Sequence, residues 1–195
     1  MAGFVLATAN AHKAEEIRRV LEPYGIELLP RPSDVGDVDE TEETLEGNAL
    51  LKARALTDAT GLPAIADDTG LFIDALDGRP GVHSARYAGE HATYADNVAK
   101  ALSELERVDD SRRGARFRCV VAVTYPDGTS WWVEGILEGA MLRSLVGDGG
   151  FGYDVIFSPL NLSGTSLAEL TPDEKSAISH RGQALRAFAE KIVGA

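Results

Sequence analysis

Residues 63–76 read Pro63-Ala64-Ile65-Ala66-Asp67-Asp68-Thr69-Gly70-Leu71-Phe72-Ile73-Asp74-Ala75-Leu76. Two short apolar runs, 63–66 and 71–76, flank a pair of adjacent acids and a glycine. The pattern predicts two strands around an acidic turn, with carboxylates at the end of a buried strand. Acid groups so placed suit a magnesium–phosphate site, because magnesium prefers carboxylate oxygens and sits beside substrate phosphates. A turn with an N-cap aspartate is the plainer reading of the same residues.

On the N-terminal side, residues 4–8 read as a buried strand and 11–21 as a helix with Asn10 as N-cap. Ile17, Val20 and Leu21 share one face of that helix, while Glu15, Glu16, Arg18 and Arg19 point elsewhere. A second strand is predicted at 26–29, a loop at 30–39, and a helix at 44–59 closed by Gly61. On the C-terminal side a turn at 78–81 leads to a helix at 93–105, with Thr93 as N-cap and Asp96 in its first turn. Residues 117–125 and 130–137 form a hairpin joined by Pro126-Asp127-Gly128. A loop at 147–152, a strand at 155–157 and a closing helix within 172–193 follow. Strands and helices alternate early and strands crowd the middle, which predicts an α/β fold with a mixed sheet. The length of 195 residues fits a single domain over residues 1–195, with two lobes.

The chain is 44% hydrophobic, enough for a core. No apolar run is long enough to span a bilayer, and the start lacks the basic and apolar regions of a signal peptide, so a cytoplasmic protein without membrane contact is expected. The one cysteine, Cys119, excludes an intramolecular disulfide and reads as a structural strand residue. A formal net charge of −12 argues against nucleic-acid backbones as partners. A few convergent cations still allow a small polyanion.

Those cations stand at two places, the start of the first helix and the start of the closing helix, with an aromatic stretch between them in sequence. Thr8-Ala9-Asn10-Ala11-His12-Lys13 bridges the first strand and helix, and a helix N-terminus with a lysine suits a phosphate. The glycine spacing is neither that of a P-loop nor that of a dinucleotide fingerprint. Phe151, Gly152, Tyr153 and Asp154 offer aromatic faces beside glycine backbone, suited to stacking a base or to filling a core. Lys175, His180 and Arg181 flank the start of the closing helix, and arginine matches phosphate oxygens through its fork of donors. Glu40, Glu42 or Glu43 is able to supply a second metal ligand beside Asp68. The four histidines and one cysteine have no zinc-like spacing.

Taken together, these motifs resemble the inosine-triphosphate pyrophosphatase family over essentially the whole chain. The resemblance is carried by residues 8–13, by Asn48-Ala49 with Lys52-Ala53, and by residues 66–71. Pro80-Gly81-Val82 with Ser84-Ala85-Arg86-Tyr87-Ala88-Gly89, residues 149–154, and Glu174-Lys175-Ser176 with Ile178-Ser179-His180-Arg181 complete it. It implies an elongated α/β fold with two lobes and a cleft, a homodimer and a magnesium cofactor. It further implies hydrolysis of ITP, dITP or XTP to the monophosphate and pyrophosphate. Asp68 is then the proton acceptor and a metal ligand, Glu40 the best match for the second ligand, and Thr69 a substrate contact. Thr8 to Lys13 and Lys52 bind phosphate, and Phe151 to Asp154, Lys175, His180 and Arg181 complete the nucleotide site. The chain departs from the family at Val155, where proline is usual, at Thr69, where serine is common, and at Gly47, where an acid is frequent. A pyrophosphatase for other modified nucleotides and a binding module without turnover are the rival readings.

Overall fold

Strand β1 (Phe4–Leu6) runs parallel to both its neighbours. Phe4 lies opposite Leu28 of β2 (Leu28–Leu29), and Leu6 opposite Ile65 of β3 (Ala64–Ile73). The computed structural model describes residues 3–36, 38–162 and 164–194. The short β4 (Pro80–Gly81) pairs antiparallel with β3, Leu71 opposite Gly81. Strands β5 (Gly114–Thr124) and β6 (Ser130–Met141) form the predicted hairpin, closed where the Tyr125 N–H donates to Thr129 O at 2.9 Å. Strand β7 (Phe157–Pro159) pairs antiparallel with β6. The sheet order is β2-β1-β3-β5-β6-β7, with β4 beside β3. The chain is thus an α/β protein with a mixed sheet, as the alternation of its elements predicts.

Five helices accompany these strands among the described residues: α1 (Ala11–Leu21), α2 (Leu45–Thr60), α3 (Tyr94–Glu104), α4 (Pro172–Ile178) and α5 (His180–Val193). None is long and apolar enough to cross a membrane. The chain divides into two compact units. One comprises Met1–Asp68, Cys119–Gly135 and Ser179–Ala195, the other Thr69–Arg118 and Ile136–Ile178.

In the first unit, the period of two along a strand decides which helix each side chain meets. Phe4, Leu6 and Ile65, with Cys119, Val121 and Val123, pack against Ile17 and Leu21 of α1 and Leu185 and Phe188 of α5. Val5, Ala7, Ala64 and Ala66 face the other way, onto Ala53 and Leu56 of α2. Phe188 meets Phe4 edge-on at 5.7 Å and stacks on Trp131 at 5.3 Å. Truncating so central a ring costs about 3–5 kcal/mol. In the second unit, Leu71, Ile73, Val98, Leu105, Phe117, Ile156 and Phe157 form the core, with Phe117 and Phe157 4.7 Å apart.

Three expectations give way. The acidic turn is no turn: β3 is one ten-residue strand, and Asp67, Asp68, Thr69 and Gly70 lie within it. Gly70 marks a close approach instead, since a Cβ there would lie 2.6 Å from Gly81 O. The closing helix is two helices. Ser179 separates α4 from α5, in an extended conformation, and its Oγ accepts the Gly182 N–H at 3.0 Å. Residues 152–156 form a 3₁₀ turn, so the strand expected from 155 begins at Phe157.

Candidate active site

The alternation of β3 separates its two acids. Asp67 follows Ile65 toward α1 and α5, and Asp68 follows Ala64 and Ala66 toward α2. Each meets cations from the helices that cover its own face.

On the first face, Lys13 Nζ lies 3.1 Å from Asp67 Oδ2, and Arg181 Nε donates to the same oxygen at 3.2 Å. Arg181 Nη1 also bonds to Glu16. Asp67 and Arg181 are both buried. Burial alone would push the Asp67 carboxyl up, but Lys13, Arg181 and Lys52 outweigh it and hold the group well below the usual carboxylate range. Burial likewise works against the charge of Arg181, and Asp67 overcomes it. Glu16, assigned from the sequence to the outer side of α1, turns inward. The signal was its place three residues after Lys13, a spacing that puts both on one face.

On the second face, Lys52 Nζ donates to Asp68 Oδ1 at 2.9 Å and to Glu40 Oε1 at 2.7 Å. Asp68 Oδ2 is buried and has no hydrogen-bond partner among the described residues. Burial lifts Asp68, Lys52 pulls it back and the charge of Glu40 adds to the rise, leaving a pKa of about 6. Burial also raises Glu40, but Lys52 more than compensates, and its net shift is downward. Burial disfavours the Lys52 ammonium, and Asp68, Asp67 and Glu40 keep it charged. Glu40 is therefore the acid of the 40–43 stretch that stands with Asp68. Two carboxylates, one with an open buried oxygen, suit a hard cation such as magnesium. No group of three or more His, Cys, Asp or Glu arranged for a metal occurs among the described residues. An ion here would be held by one or two carboxylates together with substrate phosphates, the usual habit of magnesium.

The start of α1 is capped from within. Asn10 Oδ1 accepts the N–H groups of His12 and Lys13 at 3.0 and 3.2 Å, and Thr8 Oγ1 accepts the Asn10 N–H at 3.1 Å. The N–H groups of residues 12 and 13 thus serve the cap, while Ala9, Ala11 and His12 are exposed. His180, at the first position of α5, is buried. At Gly135 of β6 a Cβ would fall 2.1 Å from His180 O, so this helix start rests directly on strand backbone.

The second unit holds its own cluster. Lys175 Nζ donates to Asp154 Oδ2 at 2.6 Å and lies 4.6 Å from the centre of the Phe151 ring. The same carboxylate oxygen accepts the Phe151 N–H at 2.8 Å. Gly152 has φ +62°, a conformation natural to glycine. Tyr153 is buried, and its hydroxyl donates to Ser84 O at 2.9 Å, so its ring belongs to the core. Thr69 is half-buried in β3, immediately after Asp68.

An α/β protein whose buried strand carries two acids, each answered by helix-borne cations, is the class that this fold and site define. A model of the Ham1 family matches residues 4–191. A dITP/XTP pyrophosphatase of Streptomyces coelicolor is 47% identical, with 98% of each chain covered. Another of that name, from Nitratidesulfovibrio vulgaris, is 48% identical over 97% of this chain and 95% of its own. The solved structure of a HAM1 protein from Coxiella burnetii superposes with a TM-score of 0.90 at 43% identity, covering all of both chains. The chain belongs to the Ham1 family.

Proposed function

We propose that the protein is a magnesium-dependent nucleoside-triphosphate pyrophosphatase. It takes dITP, XTP and ITP and releases the monophosphate and pyrophosphate. The names of the Streptomyces and Nitratidesulfovibrio relatives support the substrate class. The observation that carries the chemistry is Asp68, a buried carboxylate with Oδ1 bound to Lys52 and Oδ2 without a hydrogen-bond partner among the described residues.

In this reading Oδ2 takes the proton of the attacking water. A pKa of about 6 leaves Asp68 ionised at neutral pH yet basic enough to accept a proton. Lys52 holds Oδ1 and so fixes the direction in which the acceptor points. The water oxygen bonds to the α-phosphorus as the bond to the bridging oxygen breaks, and pyrophosphate leaves with that electron pair. Magnesium held by Asp68 and Glu40 would neutralise charge on the phosphates. Lys13, at the start of α1, binds phosphate, and Asp67, itself held by Arg181, keeps its ammonium in place. Residues 8–12, Thr69, Phe151, Gly152, Tyr153, Asp154, Lys175, His180 and Arg181 are assigned to the nucleotide on the family resemblance. A cytoplasmic homodimer that clears deaminated purines from the nucleotide pool is the setting this activity fits.

Phosphorus NMR of ITP with the protein and magnesium tests the proposal. Inosine monophosphate and pyrophosphate are expected. The diphosphate with orthophosphate would place the attack at the γ-phosphorus, and unchanged ITP would favour a binding module.

A further inference from the structure

Asn48 lies on α2 one helical turn before Lys52 and is fully buried. Its carboxamide clamps the backbone of one residue from both sides. Oδ1 accepts the Glu42 N–H at 3.0 Å, and Nδ2 donates to Glu42 O at 3.2 Å. The Glu42 side chain is exposed, so water could serve that backbone at little cost were its position unimportant. The first turn of α2 is shaped around the same point. Thr44 Oγ1 accepts the Gly47 N–H at 3.0 Å, and a Cβ at Gly47 would lie 2.8 Å from Glu42 Cβ. The glycine that replaces a frequent acid thus belongs with the clamp. Two residues before Glu42 stands Glu40, whose carboxylate shares the Lys52 ammonium with Asp68.

We propose that Asn48 is a positioning residue of the divalent-cation site, fixing through Glu42 how Glu40 is presented beside Asp68. The inference rests on Glu40 and Asp68 being the cation ligands. Asn48 itself touches neither carboxylate in the hydrogen bonds above. It acts at one remove, as the partners behind metal ligands commonly do.

The test uses Mn²⁺ as the probe, titrated into the protein without nucleotide and read by electron paramagnetic resonance, with a melting curve for each variant. Asn48→Ala should weaken Mn²⁺ binding about tenfold or more, the usual loss when an outer partner of a ligand is removed. Asn48→Asp keeps the acceptor for the Glu42 N–H and loses the donor, so it should weaken binding less; it also serves if Asn48→Ala does not fold. Glu40→Gln should weaken binding too, and adding Asn48→Ala to it should bring little further loss, because both act through one carboxylate. Fully additive losses, or wild-type Mn²⁺ binding in an Asn48→Ala protein that only melts lower, would overturn the inference and leave Asn48 an anchor of the fold. Wild-type binding by Glu40→Gln would overturn the ligand assignment itself, and the inference with it.

Discussion

The ammonium of Lys52 lies 2.9 Å from Asp68 Oδ1 and 2.7 Å from Glu40 Oε1, so one cation on α2 joins an acid of a buried strand to an acid of a loop. Asp68→Asn keeps the shape of this contact and removes the charge that accepts a proton. Pyrophosphate release should fall by at least about a hundredfold, the lower range for loss of a general base. Lys52 keeps Glu40, so the variant should fold. Turnover near wild type in a folded variant would remove Asp68 from the chemistry.

Asp67 should behave differently from its neighbour. It is the shared acceptor of Lys13 and Arg181, and Arg181 is buried. Asp67→Ala leaves that guanidinium to its pair with Glu16. Breaking a buried pair in this way costs about 3–5 kcal/mol. Urea unfolding checks the figure, and a loss under about 1 kcal/mol would mean that water or Glu16 already satisfies Arg181.

The two acids also predict opposite responses to pH. Burial raises Asp68 to about 6, above an unfolded value near 4. Its contribution to stability is full below about 4 and is lost as pH rises through about 6. Asp67 is held low, so its contribution is present above about 4 and lost only as pH falls further. Between these values, metal-free wild-type protein should lose melting temperature relative to Asp68→Asn as pH rises. Parallel melting curves for the two proteins across that window would show that Asp68 titrates normally.

Trp131 and Trp132 are adjacent in β6 and face opposite ways. Trp131 stacks on Phe188 with Lys191 Nζ 4.1 Å above its ring, whereas Trp132 is 43% exposed. Trp131→Ala should destabilise the chain more than Trp132→Ala. If Trp132 belongs to a homodimer surface, Trp132→Lys should halve the mass seen by light scattering and leave the melting curve of the monomer intact. A monomeric wild-type protein at micromolar concentration would dispose of the dimer.

Base preference is expected to come from the 6-position. Inosine and xanthine carry a 6-oxo acceptor where adenine carries an amino donor, and a mismatched buried donor loses its partner. ITP and XTP should exceed ATP in kcat/KM by at least about tenfold, or about 1.4 kcal/mol, and GTP, which shares the 6-oxo group, must be excluded at its 2-amino group instead. His180→Ala should lower turnover of ITP more than that of ATP. Equal losses on both would reassign the start of α5 to phosphate binding alone.

Local chemistry made much of the fold readable. Asn10 announces α1 and Thr93 with Asp96 announces α3, and both caps form as written. Gly61 closes α2 with φ +67°, within one residue of the expected end. Long-range contacts decided the rest. Asp67-Asp68-Thr69-Gly70 has the composition of a turn, and only Lys13, Lys52 and Arg181, distant in sequence, make it tolerable inside a strand. Ser179 divides the closing helix without proline or glycine, and its signal, an Oγ turned back to Gly182, is invisible in composition. Asp68 was legible because two acids follow an apolar run, Lys13 and Arg181 because they stand at helix starts, and Lys52 through the family resemblance. Glu16 was not, since an acid on a helix is a common feature of solvated surfaces, and Asn48 stood in a family motif without a role of its own.

Gly135 gives the start of α5 a geometric tolerance of nearly zero. A Cβ there would meet His180 O at 2.1 Å and Ala184 N at 2.6 Å, so alanine is already too large. No series of gradually bulkier residues leads away from this position, and Gly139, farther along β6, is closed in the same way, since a Cβ there would lie 2.3 Å from Ser158 O. The same geometry makes a methyl group a calibrated wedge. Gly135→Ala would lift the helix that carries His180 and Arg181 without altering either side chain, a means of detuning the site from behind.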